Sequence, residues 1–265
     1  MDSLLPREKL SIAKIVADNA KIRLPYKELI HPTSMKRDEK GLRAYHAINR
    51  LANRFITTNY DDLLDTLPTP SAAIRFESSE NIANEERVLK RVYFRPSEFL
   101  RVNAIDSNCV YHIHGSLEDD DSLIISTTDY LRHYSRTMRN GDKIEDNPLV
   151  DFLEDHFAKN SMLFIGYGMS DLEILEHLVL KASPTGASSE AKHFILQGYY
   201  SHEESLAATM SQYFARFGVQ LIPFLLDKEG WGQLANVLEV LAEIVSPPPQ
   251  ILADFDEMRG FAHGF

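Results

Sequence analysis

The chain has 265 residues, 44% of them hydrophobic, with a formal net charge of -11 and a single cysteine, Cys109. That length suits one large domain with a small appendage and can bury a core unaided, while a lone cysteine excludes a disulfide framework or thiolate zinc cluster and fits a reducing, cytoplasmic setting. With 28 basic against 39 acidic residues, a general nucleic-acid surface is excluded, and no run of about 18 apolar residues exists to span a membrane.

The N-terminal sequence MDSLLPREKLSIAKIV has charges inside its apolar stretch and lacks a signal-peptide layout. The spacing of Leu4, Leu10, Ile15, Leu42, Ile48 and Leu51 predicts helices over 3–20 and 41–53. Pro25 and the run HPTSMKRDEK connect them. RFITT (54–58) is a short β-branched and aromatic run ending in NYDD, the pattern of a buried strand with a loop at its carboxyl end.

Further strands are predicted at RVYF (91–94), CVYHIH (109–114) and SLIIST (122–127), with Ser126 or Thr127 capping a helix through Tyr134. Pro148 sits where a first helical turn accepts it and opens LVDFLEDHFAKN. SMLFIG (161–166) is an apolar strand, YGMS a tight turn, and DLEILEHLVL an amphipathic helix whose start carries Ser170 and Glu173 at capping-box spacing. KHFILQ (192–197) is another strand, followed by a second such box at Ser201 and Glu204 that opens a helix to about Phe217. VQLIPFLL (219–226) and WGQLANVLEVLAEIV are the last strand and helix, and PPPQ (247–250) ends the compact part.

Strands alternating with amphipathic helices predict an α/β, Rossmann-like fold: a mostly parallel sheet with helices on both faces. The strands at 54–58, 109–113, 161–166, 192–197 and 219–224 are expected as neighbours in one sheet. Ligands of such sheets sit at the carboxyl ends of the strands, so the loops after Thr58, His114 and Gly166 are where chemistry is expected.

Three strand ends carry unusual residues: ITTNYDDLLD (56–65), VYHIHGSL (110–117) and FIGYGMSD (164–171). Each by itself has an ordinary structural explanation. Asn59 and Asp61 suit turns that bond their own backbone, His114 suits a satisfied core histidine, and Gly166 and Gly168 permit a tight turn. His112 and His114 share a strand face by alternation, but no third ligand is placed by spacing, so a metal site is not expected.

Taken together and in order, these segments resemble the sirtuin superfamily, specifically its branch in bacterial phage defence. The sirtuin Thr-Gln-Asn-Ile-Asp segment, which lines the nicotinamide-ribose end of the NAD pocket, is similar to Thr57-Thr58-Asn59-Tyr60-Asp61. The defence branch typically has this Thr-Thr-Asn-Tyr-Asp form. The catalytic His-Gly pair resembles His114-Gly115, and the later Gly-Thr-Ser turn, which holds NAD phosphate and ribose, resembles Gly166-Tyr167-Gly168 followed by Ser170-Asp171. The resemblance covers about residues 41 to 245, leaving 1–40 as an N-terminal helical segment and 246–265 as a tail.

The resemblance implies NAD as substrate and NAD glycohydrolase activity in defence, with Asn59, His114 and Asp61 catalytic and Thr57, Thr58, Tyr60, Gly115, Gly166, Gly168, Ser170 and Asp171 binding NAD. The residue types suit that chemistry. Cleavage of the N-glycosidic bond passes through an oxocarbenium-like ribose. An amide can hold a ribose hydroxyl or water, a carboxylate can steady developing positive charge, an imidazole can accept a proton near neutral pH, and a capped helix start can receive a phosphate.

Two departures from the family pattern qualify this. Sirtuin-type domains begin with a strand and a Gly-Ala-Gly-x-Ser loop that wraps the pyrophosphate. Here the first glycine is Gly41, in a polar stretch with no apolar strand before it. NAD is then expected to bind more weakly, and the competing reading is a catalytically degraded module that binds a protein, ADP-ribose or another nucleotide. The second departure is the lone cysteine, which cannot build the four-cysteine zinc module of lysine-deacylating sirtuins. Partners compatible with these readings are NAD or ADP-ribose, a protein or upstream segment that completes the phosphate end, and further copies of the chain.

Overall fold

A computed structural model of the chain describes residues 6–30, 39–67, 90–99, 108–134, 138–139, 143–144, 147–167 and 193–245. Helix α1 (Pro6–Ala20) leads to a short α2 (Tyr26–Ile30) just after Pro25, where only a connection was expected. Helix α3 (Glu39–Leu51) then feeds strand β1 (Arg54–Thr57). Strand β2 (Arg91–Tyr93), the single turn α4 (Pro96–Phe99) and strand β3 (Cys109–His112) follow. The SLIIST run is not a strand. Leu123, Ile124 and Ile125 are buried, but the one backbone bond returning to β3's end is from Ile124 N–H to His114 O, 2.9 Å. Burial of the apolar side chains, rather than ladder pairing, holds this segment.

Helix α5 (Thr127–Tyr134) starts at a reciprocal cap: Ser126 N–H donates to Asp129 Oδ2 at 2.9 Å, and Asp129 N–H to Ser126 Oγ at 3.2 Å. A two-residue antiparallel pair, β4 (Met138–Arg139) and β5 (Lys143–Ile144), precedes α6 (Pro148–Lys159). The start of α6 is fixed by Pro148 in its first turn and by Asn147, whose Oδ1 accepts from Leu149 N–H and Val150 N–H. Strand β6 (Leu163–Ile165), β7 (His193–Tyr199), α7 (Glu204–Ala215), β8 (Val219–Leu225) and α8 (Gln233–Val245) complete the order. The expected box at Ser201 and Glu204 is displaced. Glu203 accepts from Tyr200 N–H at 2.9 Å, and Ser201 Oγ instead donates to Asp227. The helix expected after Ser170 lies outside the described residues.

The fold is α/β with parallel strands, but the strands do not share one hydrogen-bonded sheet as expected. One parallel sheet has the order β1-β3-β2 and a second β6-β7-β8. Among the described residues β1 and β6 are each an outer strand of their own sheet, and RFIT and LFI line one cavity without pairing with each other. Pro223 in β8 is tolerated because β8 is also an outer strand.

The two sheets nevertheless lie in one layer, because the same helices cover both. On one face Phe152 and Leu153 of α6 pack with Tyr111 of β3 and with Phe164 and Ile195 of β6 and β7, joined by Met210 and Phe214 of α7. On the other face Ile48 of α3 packs both with Phe55 and Val110 and with Leu196, Phe224 and Leu238 of α8. Apolar side chains on alternate sides of each strand thus meet helices above and below, the condition for a parallel sheet. The N-terminal segment is tied by ion pairs to the start of α5, through Lys14–Asp129 at 2.8 Å, and to the loop after β3, through Arg23–Asp120 at 2.8 Å and Lys27–Glu118 at 2.9 Å.

Candidate functional site

Between β1 and β6 lies a cavity of about 510 Å³. Its floor and walls are apolar, with Ile48, Phe55, Leu153, Phe157 and Leu163 among them, and its polar end is formed by Thr57, Thr58 and Asn59 after β1 and by Gly166 and Tyr167 after β6. These are carboxyl ends of parallel strands, where a side-chain cluster can surround a ligand without breaking the ladder.

The loop after β1 is fixed by its own side chains. Thr57 Oγ1 accepts from Asn59 N–H at 3.0 Å, and Asp61 Oδ1 from Leu63 N–H at 3.1 Å. Tyr45, reaching from α3, links the two polar residues: Asn59 Nδ2 donates to its Oη at 2.9 Å, and its O–H donates to Asp61 Oδ2 at 3.1 Å. Burial, and then the Asp61 carboxylate, push the Tyr45 hydroxyl up to about 12, so it remains a donor at neutral pH. Tyr60 turns away from this group and donates to Ile124 O at 2.6 Å.

Beneath the loop lies His112, 1% exposed. Its Nδ1–H donates to Asn59 O at 3.0 Å and its Nε2–H to Asp65 Oδ1 at 2.9 Å. Both partners are acceptors, so the ring carries both protons. Burial opposes that charge, but the hydrogen bond and charge of Asp65, with the Asn59 carbonyl, outweigh it and raise the pKa above 6.5. Lys90 holds the far end of the loop, donating to Leu64 O at 2.8 Å and Leu67 O at 3.0 Å, and burial lowers its pKa to about 8.

His114 occupies a different environment from His112. The strand ends at His112 and Gly115 N–H folds back on His112 O at 3.1 Å, so the alternation that would have put both rings on one face stops. His114 is 4% exposed, hydrogen-bonded through Nδ1 to the Tyr130 hydroxyl at 3.2 Å, and surrounded by the rings of Tyr60, Tyr130 and Tyr134. Gly115 has φ +86°, and a Cβ there would lie 2.2 Å from Ser122 O, so only glycine fits. Gly166 has φ +68° with nothing within 4 Å of where a Cβ would stand; its backbone is open to close approach by a ligand. Among the described residues no group of three His, Cys, Asp or Glu is placed to hold a metal.

Of the residues singled out in the sequence, Thr57, Thr58, Asn59 and Gly166 line one cavity. Asp61 stands behind them on Tyr45, and Tyr60, His114 and Gly115 form an adjoining aromatic compartment. Gly168, Ser170 and Asp171 lie outside the described residues. Sequence reasoning missed Tyr45, Asp65, Lys90 and Tyr130. Tyr45 had a signal, since it lies one turn before Ile48 on the inner face of α3, where an aromatic with a polar tip needs a partner.

Two parallel sheets covered by helices, with polar residues gathered at the strand ends, define a Rossmann-like α/β domain. The SIR2-like domain family matches residues 53–222, and the chain belongs to that family. SIR2-like domains generally use NAD. No curated protein matches the chain significantly. Among the described residues no helix is long and apolar enough to cross a membrane.

Proposed function

We propose that the chain is an NAD glycohydrolase domain that splits NAD and water into ADP-ribose and nicotinamide, in a bacterial defence or abortive-infection setting. The observation that carries this reading is the cavity of a SIR2-like domain lined by Thr57, Thr58 and Asn59 on one side and Gly166 on the other. With Nδ2 held by Tyr45, Asn59 offers its Oδ1 as an acceptor for a ribose hydroxyl or the attacking water. Asp61, through Tyr45, steadies that orientation. In this reading His114, whose Nδ1 meets the Tyr130 hydroxyl, is the proton acceptor.

The apolar walls fit the removal of water from the scissile bond, and the open backbone at Gly166 fits the approach of a ribose or phosphate. Gly168, Ser170 and Asp171 supply the phosphate end in this reading, and Tyr60 and Gly115 shape the ribose end. The acyl-peptide chemistry of zinc-bearing sirtuins has no place here, because Cys109 is the sole cysteine and lies inside β3.

The test is nicotinamide release from NAD with no acetylated peptide present. Asn59→Ala and His114→Ala should each lower it on the order of 10²–10⁴-fold while the circular dichroism spectrum is retained. NAD binding by calorimetry with no nicotinamide from any preparation, including one supplied with a phosphate-wrapping segment, would favour the nucleotide-binding module instead.

A further inference from the structure

Helices α1 and α2 lie outside the SIR2-like match at 53–222, yet they are tied to the backbone that holds His114 and Tyr60. Helix α1 turns a polar side inward. Ser11 Oγ accepts from Thr127 N–H at 3.0 Å, and Lys14 donates to both carboxylate oxygens of Asp129 at 3.0 and 2.8 Å, while Ile12, Ile15 and Val16 stay exposed. Lys21, at φ +57°, ends the helix, with Ile22 N–H bonded to Ala17 O at 2.9 Å, in a turn that usually takes glycine. Beyond that turn Tyr26 packs on Leu117, Leu123 and Ile125.

The tie continues inward bond by bond. Asp129 Oδ2 accepts from Ser126 N–H at 2.9 Å, from Ser126 O–H at 2.7 Å and from Ile125 N–H at 3.3 Å. The residue before these, Ile124, donates its N–H to His114 O at 2.9 Å and accepts the Tyr60 hydroxyl at 2.6 Å. Ile124 thus holds two residues of the aromatic compartment, and Asp129 holds the backbone beside it. Tyr60 also packs on the apolar cluster that Tyr26 touches. The exposed pairs Arg23–Asp120 and Lys27–Glu118 contribute little, because water and salt screen them. Lys14 differs. The Asp129 side chain is only 11% exposed, so loss of the ammonium leaves a nearly buried carboxylate without its cation.

We propose that Lys14 and Tyr26 are positioning residues for the His114–Tyr60 compartment, supplied by a segment outside the SIR2-like match. Lys14 keeps Asp129 ionised and its bonds to Ile125 and Ser126 in place, and Tyr26 backs Ile125 by packing. Together they set where Ile124 places the His114 backbone and the Tyr60 ring. The consequence for turnover rests on the hydrolase reading, whereas the placement itself is measured without NAD.

The experiment uses the full chain with its histidine and tyrosine rings labelled for NMR, in parallel with nicotinamide release from NAD. In Lys14→Met, and separately in Tyr26→Ala, the His114 and Tyr60 ring signals should shift. In both, kcat should fall by about tenfold with KM little changed. Lys14→Arg keeps a cation on Asp129 and should retain the native signals and rate. Ser201→Ala, which removes a hydrogen bond to Asp227 after β8, should move neither. Ring signals unmoved in Lys14→Met and Tyr26→Ala would overturn the proposal, as would Lys14→Arg behaving like Lys14→Met, or a kcat that stays native while the signals shift. A native chain that releases no nicotinamide would sink the hydrolase reading instead, and the ring signals would still decide whether Lys14 and Tyr26 place His114 and Tyr60.

Discussion

His112 and Asp65 form a buried pair under the loop that presents Asn59: the ring's Nε2–H meets the carboxylate at 2.9 Å while its Nδ1–H holds the Asn59 carbonyl at 3.0 Å. One imidazolium therefore ties both ends of the segment Asn59–Asp65, and its charge state becomes part of the loop's stability. Because the folded pKa is raised above 6.5, the stabilisation is fully present below that value and is lost as pH rises through the folded pKa.

Thermal melts across pH should accordingly decline on the alkaline side of 6.5, and the decline should flatten in Asp65→Asn. An NMR titration of His112 reads the same event directly. A midpoint at or below 6.5 in the native chain would show that Asp65 does not hold the charge.

Tyr45→Phe removes the O–H between Asn59 and Asp61 and leaves the ring in its packing site beside Phe55. Nicotinamide release should fall by about 10-fold, the equivalent of one positioning hydrogen bond, with melting temperature nearly unchanged. Unaltered release would remove Tyr45 from the site.

The two strand-end glycines should respond differently. Gly115→Ala drives a Cβ to 2.2 Å from a backbone oxygen at φ +86° and should cost about 3 kcal/mol or more. Gly166→Ala meets open space and bears only the conformational penalty at φ +68°, about 1–2 kcal/mol, and Gly166→Asn should bear less. Equal losses in chemical denaturation would contradict the crowding at Gly115.

Lys14 and Asp129 join α1 to the start of α5. Burial opposes the Asp129 charge, yet Lys14 and Ser126 hold its pKa down at about 2. Its contribution is present above the ordinary value of 3.8 and is lost as pH falls toward about 2. Lys14→Met should cost about 1–3 kcal/mol and make the loss of stability in acid shallower. An unchanged acid limb would show that the pair does not anchor the helix.

The sequence by itself determined the local order of the chain. Strand cores such as CVYH and HFILQ are apolar or β-branched runs whose burial needs no knowledge of their partners, and the cap at Asn147–Pro148 is chemistry between close neighbours. The residue pattern of TTNYD and HIHG was likewise legible, because a family is written in side-chain types at fixed spacing. Tertiary structure alone decided which groups meet. Tyr45 reaches Asn59 and Asp61 from another element, His112 finds Asp65 across a strand end, and β1 and β6 line one cavity without pairing with each other. Each of these depends on where separate elements are set by packing between residues far apart in sequence, and periodicity within one element carries no information about that distance.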